Sequence, residues 1–195
     1  PTMSFWAMCM AFRLVEVAAR VESHASSLLE SGVIEALDYA CVRTYVVLGN
    51  SLSSDAAGAV VALVGKNEGG KTLSRSTVNA VLEELSLWFD PSHWKGLQTC
   101  AKLLPLARRI ATMTIADANK KIMLQHDKLL NNLIAGLLLD DGNPRRGQDG
   151  ADALQEMCAG VLHELALYGP GASALRGHSG MMEALRVLVE VGTKA

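Results

Sequence analysis

The chain has no apolar run long enough to cross a membrane, no C-x-x-C pair and no excess of charge of either sign. Its most apolar opening, residues 5–12, is followed at once by Arg13, Glu16 and Arg20. A spanning helix needs about 20 mostly apolar residues. A signal peptide needs a basic start and a small-residue cleavage site, and neither is present. Membrane insertion is therefore not expected. Cys9, Cys41, Cys100 and Cys158 are too scattered to write a zinc or redox motif. They read as reduced, mostly buried thiols of a cytoplasmic protein. With 18 basic against 20 acidic residues, no electrostatic footprint for nucleic acid exists. Aromatic residues are few, and Trp6, Trp88 and Trp94 fall near the ends of expected helices. Together with the eight methionines they read as filler for helix contacts, not as a cofactor box.

What the chain has is length and period. Its 195 residues, half of them hydrophobic, supply one sizeable core or one short solenoid, a single domain over 1–195. Starting at Pro1 without methionine, it fits a piece of a longer chain. Phe5, Met8, Phe12, Val15 and Ala19 recur at three- and four-residue steps, with Arg13, Glu16 and Arg20 on the other side, which is an amphipathic helix. The same period returns between breaks near Gly49, Gly69, Pro91, Gly142 and Pro170.

The segments also resemble one another. Gly32-Val-Ile-Glu35-Ala36-Leu37 returns as Gly180-Met-Met-Glu183-Ala184-Leu185, and looser copies end at Leu82 and Leu133. Upstream of each lies a small-residue helix and a polar turn, near His24, Asn67, Asn119 and Gly171. The anchors Leu37, Leu82, Leu133 and Leu185 stand 45, 51 and 52 residues apart, near the roughly 40 to 47 of HEAT and armadillo units. On residues 110–138 and 159–189 the chain resembles the armadillo family: second helix, Asn- or Gly-bearing turn, third helix. That resemblance implies an all-α fold, a right-handed superhelix of about four helical repeats, with function on its concave face. Peptide-binding armadillo proteins carry a Trp four residues before an Asn on their third helices. Here Asn79, Asn131 and Asn132 are present without that Trp, so binding of nuclear signals is not carried over.

One motif competes. Gly65-Lys66-Asn67-Glu68-Gly69-Gly70-Lys71-Thr72 satisfies the phosphate-loop pattern and follows an apolar run, residues 59–64. In such a loop Gly65 and Gly70 would let backbone amides reach phosphate, Lys71 would pair the outer phosphates and Thr72 would hold magnesium. Asp140, after three leucines, could complete the metal site. A nucleotide fold also needs several parallel strands, and outside 45–48 and 59–64 no run is rich in β-branched residues. The octet falls where the repeat places its turn, so a glycine-bearing turn is the preferred reading and a small nucleotide-binding protein the alternative.

Other residues have plainer roles. His24, His126 and His178 sit at similar places in the repeats and suggest caps or turns; no histidines take metal-ligand spacing. Cys158 and His163 stand five apart and face different ways on a helix, so a catalytic dyad is not expected. Arg145 and Arg146 belong to an exposed loop.

The expectation is thus a non-enzymatic scaffold without cofactor or metal, binding a protein or peptide partner along a groove. On a helix over 74–89, Val78, Val81, Leu82 and Leu85 face inward and leave Arg75, Asn79, Glu83 and Ser86 to solvent. The matching positions are Lys128, Asn131 and Asn132, then Glu183, Arg186 and Glu190. Residues 5–12, apolar beyond the usual for a terminal repeat, are expected to be covered by a partner, a second copy or further chain.

Overall fold

A computed structural model describes residues 5–48, 50–65, 72–89, 104–138 and 149–192. Every regular element among them is a helix. In order these are α1 (Phe5–Ala18), α2 (Glu22–Glu30), α3 (Val33–Leu48), α4 (Asn50–Val64), α5 (Arg75–Phe89), α6 (Leu104–Met113), α7 (Asp117–Met123), α8 (Leu129–Leu138), α9 (Ala151–Leu167), α10 (Gly169–Gly177) and α11 (Met181–Gly192). The chain forms two compact units, Pro1–Glu84 and Leu85–Ala195.

In the first unit α4 packs against α1 and α3. Ala56, Ala57, Ala59, Val60 and Val61 are all essentially inaccessible. A helix apolar all round has to be buried, and alanine and glycine let its neighbours come close. Residues 59–64, which could have been a strand, therefore belong to a 15-residue helix. Ser53, Ser54 and Asp55 of the same helix are buried too, and each has a partner. Ser53 Oγ donates to the Cys41 carbonyl of α3 at 2.8 Å, Ser54 Oγ meets the Glu84 carboxylate of α5, and Asp55 pairs with Arg13 of α1 at 3.4 Å.

In the second unit α9 packs against α6, α8 and α10. It buries Leu154, Met157, Cys158, Val161, Leu162 and Leu165, the three- and four-step row of a core-facing helix. Gln155 Nε2 donates to the Leu137 carbonyl at 3.0 Å, satisfying a C-terminal carbonyl of α8. Lys120 of α7 is buried and bridges Asp117 at 3.2 Å and Glu164 of α9 at 3.5 Å.

The order long helix, short helix, long helix recurs as α1–α2–α3, α6–α7–α8 and α9–α10–α11. The short members have nine, seven and nine residues, and they stand where the sequence suggests only polar turns. Asn119 accordingly corrects from a turn to a fully buried place inside α7, and His24 lies within α2. Elements so short show no period, and their N- and C-terminal charges, such as Asp117 and Lys121, are the better signal. Of the anchors, Leu37, Leu82 and Leu133 are buried and Leu185 is exposed. Trp6 corrects from filler to an exposed side chain, Trp88 is buried, and Trp94 lies outside the described residues.

Two glycines of the second unit separate packing from propensity. At Gly171 of α10 a β-carbon would overlap the Leu165 carbonyl oxygen of α9, a backbone atom that cannot swing away. At Gly160 of α9 it would meet nothing within 4 Å. Gly171→Ala is expected to cost about 1–3 kcal/mol through overpacking, whereas Gly160→Ala is expected to gain about 0.5–1 kcal/mol of helix propensity. Urea unfolding checks both, and equal effects would refute the close α9–α10 approach.

Candidate functional site

The octet is the first place to look for chemistry. Gly65 donates its N–H to the Val61 carbonyl at 2.8 Å, continuing α4. Gly70 and Lys71 lie outside the described residues, as does Asp140. Thr72 is exposed, and α5 begins only at Arg75. The N-terminus of that helix is already occupied. Ser74 Oγ accepts the Thr77 N–H at 3.2 Å, an N-cap. Asp38 Oδ1 of α3 accepts the Thr77 hydroxyl at 2.8 Å and the Ser74 hydroxyl at 3.2 Å. A carboxylate thus sits beside the N-terminus of α5, where negative charge is favoured, and the segment before the octet is helix, not strand.

Above this network α3, α4 and α5 enclose a cleft of about 280 Å³ lined by Cys41, Val42, Ser53, Ser76, Asn79, Ala80 and Glu83. Asn79 is exposed and Glu83 half-buried, one turn apart on α5. Arg75 is exposed at the start of the same helix. The Cys41 thiol is no nucleophile: burial pushes it up to about 12, and the nearby Asp38 charge adds to the rise.

The expected groove residues of the second unit divide. Lys128 and Asn131 are exposed on or beside α8. Gly180 donates its N–H to His178 Nδ1 at 3.3 Å, so Nε2 carries the ring proton and donates to Asn131 Oδ1 at 3.0 Å. His178 therefore caps the start of α11 and fixes Asn131. Asn132 corrects the solvent-facing assignment: it is buried, and its amide donates to Ser86 Oγ at 2.8 Å. It falls on the inward row of Leu129, Leu133, Gly136 and Leu137, and Ser86 is withdrawn with it.

On α11 Arg186 bonds both oxygens of Glu183, at 2.6 and 3.0 Å, and also Glu190. The Arg186 hydrogen bonds and charge hold the Glu183 carboxyl below its usual range. All three remain exposed and engage one another.

Burial alone pushes the Cys158 thiol up to about 12. His163 Nδ1 lies 3.7 Å from Glu164, whose other oxygen faces Lys120. This is an ion-pair cluster with no activated thiol. Sequence reasoning missed Lys120, although Asp117 three residues before it is the sort of spacing that signals such a pair. Among the described residues no three potential metal ligands cluster, and no helix is long and apolar enough to cross a membrane. Arg145 and Arg146 lie outside the described residues.

No family model matches the chain, and no curated protein and no solved structure matches it either.

With α5 capped by Ser74 and Asp38, ATP with magnesium is expected to leave the melting temperature unchanged, in the wild type and in Lys71→Ala alike. A working phosphate loop would add about 2.7 kcal/mol at 100 times its dissociation constant. A saturable shift that disappears in Lys71→Ala would overturn this reading.

Proposed function

We propose that the chain is a non-enzymatic interaction module, an armadillo-like right-handed superhelix of about four repeats, that takes an extended segment of a protein partner along its exposed helix faces. The recurrence of long, short and long helices supports the repeat reading. The single observation that carries the binding reading is the cleft that unites Asn79 and Glu83 with Val42 and Ala80.

Its chemistry suits a peptide. A carboxamide offers one acceptor and two donors, so Asn79 can hold both the N–H and the carbonyl of an extended main chain. Glu83, one turn further on, suits a basic side chain, with charge-assisted hydrogen bonds. Val42, Ala80 and Cys41 supply apolar contact. At about 280 Å³ the space falls just below the roughly 300–1,000 Å³ of small-molecule sites. It has room for one side chain at a time, which is how a peptide is read. Asn131, oriented by His178, and Lys128 extend the same kind of surface on the second unit, and Glu183 and Arg186 provide further charge there.

Peptides selected from a random display library on the full chain test the reading. The selected set is expected to share a basic residue, and Asn79→Ala to weaken binding about tenfold, the scale of one or two lost hydrogen bonds. Glu83→Lys is expected to abolish the preference for that residue. Selected peptides that bind both variants as tightly as the wild type would place recognition elsewhere.

A further inference from the structure

The face of α1 turned away from α4 carries Trp6, Met10, Leu14 and Val17, continued by Val21 after the helix ends, and all five are exposed. Trp6 is 75% and Leu14 66% accessible. The steps of four and three from Met10 to Val21 make a narrow seam of the width one helix presents to another. A helix that lies on a lipid surface has a broader apolar face and a strongly basic polar one. The two basic residues here already have partners, Arg13 with Asp55 at 3.4 Å and Arg20 with Glu16 at 3.3 Å. Little cationic attraction to lipid headgroups is left.

A matching seam exists on the same chain. On α11 Met182, Leu185 and Val189 are exposed at steps of three and four. Met182 and Leu185 border an apolar cavity of about 400 Å³, whose other walls include Leu137, Leu162, Ala166 and Leu175. A large aromatic anchor entering an apolar pocket is the usual centre of an interface, and α1 presents such an anchor in Trp6.

We propose that two copies of this chain associate head to tail, the α1 seam of one copy lying on the α11 seam of the next with Trp6 seated in the α9–α10–α11 cavity. Shape favours this pairing over α1 against α1, because the apolar cavity beside the α11 seam can take the Trp6 indole. A seam of this length with one indole buries on the order of 1,000 Å² in total, under the roughly 1,200–2,000 Å² of a stable complex. The contact is therefore weak and concentration-dependent.

Sedimentation velocity over roughly a hundredfold range of concentration is the test. The wild-type average mass is expected to rise with concentration above that of a single copy. Leu14→Glu and Leu185→Glu are each expected to stay monomeric, yet an equimolar mixture of the two stops at a dimer, since each retains one intact face. Circular dichroism and the urea midpoint verify folding, with Leu14→Gln and Leu185→Gln as milder replacements. A monomeric wild type at every concentration overturns the proposal. So does a Leu185→Glu protein that still dimerises, which would mean that α1 pairs with α1. Binding of the wild type to anionic vesicles without self-association, abolished by Leu14→Glu, would assign the seam to a lipid surface and equally overturn it.

Discussion

The first unit depends on a helix that is buried at every position from 53 to 64 except the half-buried Ala62. Along α4 the apolar residues fill the space between neighbours, and non-directional burial of this kind does not by itself choose one register. The choice falls to three consecutive polar residues. Ser53, Ser54 and Asp55 each bond a different neighbour, α3, α5 and α1 in turn. A buried polar group left without its partner costs about 1–3 kcal/mol. Sliding or rotating any one neighbour by a residue would forfeit such a bond, so the arrangement that satisfies all three is strongly preferred. The Asp38 bonds to Ser74 and Thr77 tie α5 to α3 a second time. The cleft between these helices inherits their rigidity, and Asn79 and Glu83 are presented on a fixed edge.

The second unit solves the same problem differently. There α9 is amphipathic, and close approach comes from glycines: Gly136 of α8 faces Cys158 and Phe89, and Gly171 of α10 abuts the end of α9. Lys120 is driven deep alongside Arg109, Thr114 and Asn119, and it is compensated by carboxylates from its own helix and from α9. Removing a partner from such a pair is costly, while the intact pair adds little to stability. Its main effect is to fix how α7 meets α9. The surface left over consists of held groups: Asn131 by His178, Arg186 by two glutamates. Side chains ordered before binding lose less entropy on contact.

The long helices were legible because their apolar steps run for three turns or more, and the outward stripe of α5 correctly exposed Arg75 and Asn79. The short helices were not, since seven to nine residues hold no readable period. Residues 59–64, read as the small-residue helix before a turn, left strand open as an alternative because a run buried on nearly every face shows no clear alternation of either kind. Asn132 and Ser86 were misplaced for a related reason: polarity suggested solvent, but each stands on an inward row and satisfies the other across 46 positions of chain. Half of the cleft was beyond reach as well. Asn79 and Glu83 share one helix, but Cys41, Val42 and Ser53 arrive from α3 and α4, and no local pattern announces that meeting. The exposed seam of α1 was visible as excess apolarity, while the cavity that suits its tryptophan exists only once α9, α10 and α11 are folded together.

Native-state hydrogen exchange resolved by residue bears most directly on α4 as the organising element. The amides of residues 56–64 are expected to be the slowest of the first unit and to exchange only through its complete unfolding, because no smaller opening frees a helix so nearly buried. Faster exchange there than in α1 or α3 would contradict the central role given to this helix, and with it the fixed cleft on which the binding reading rests.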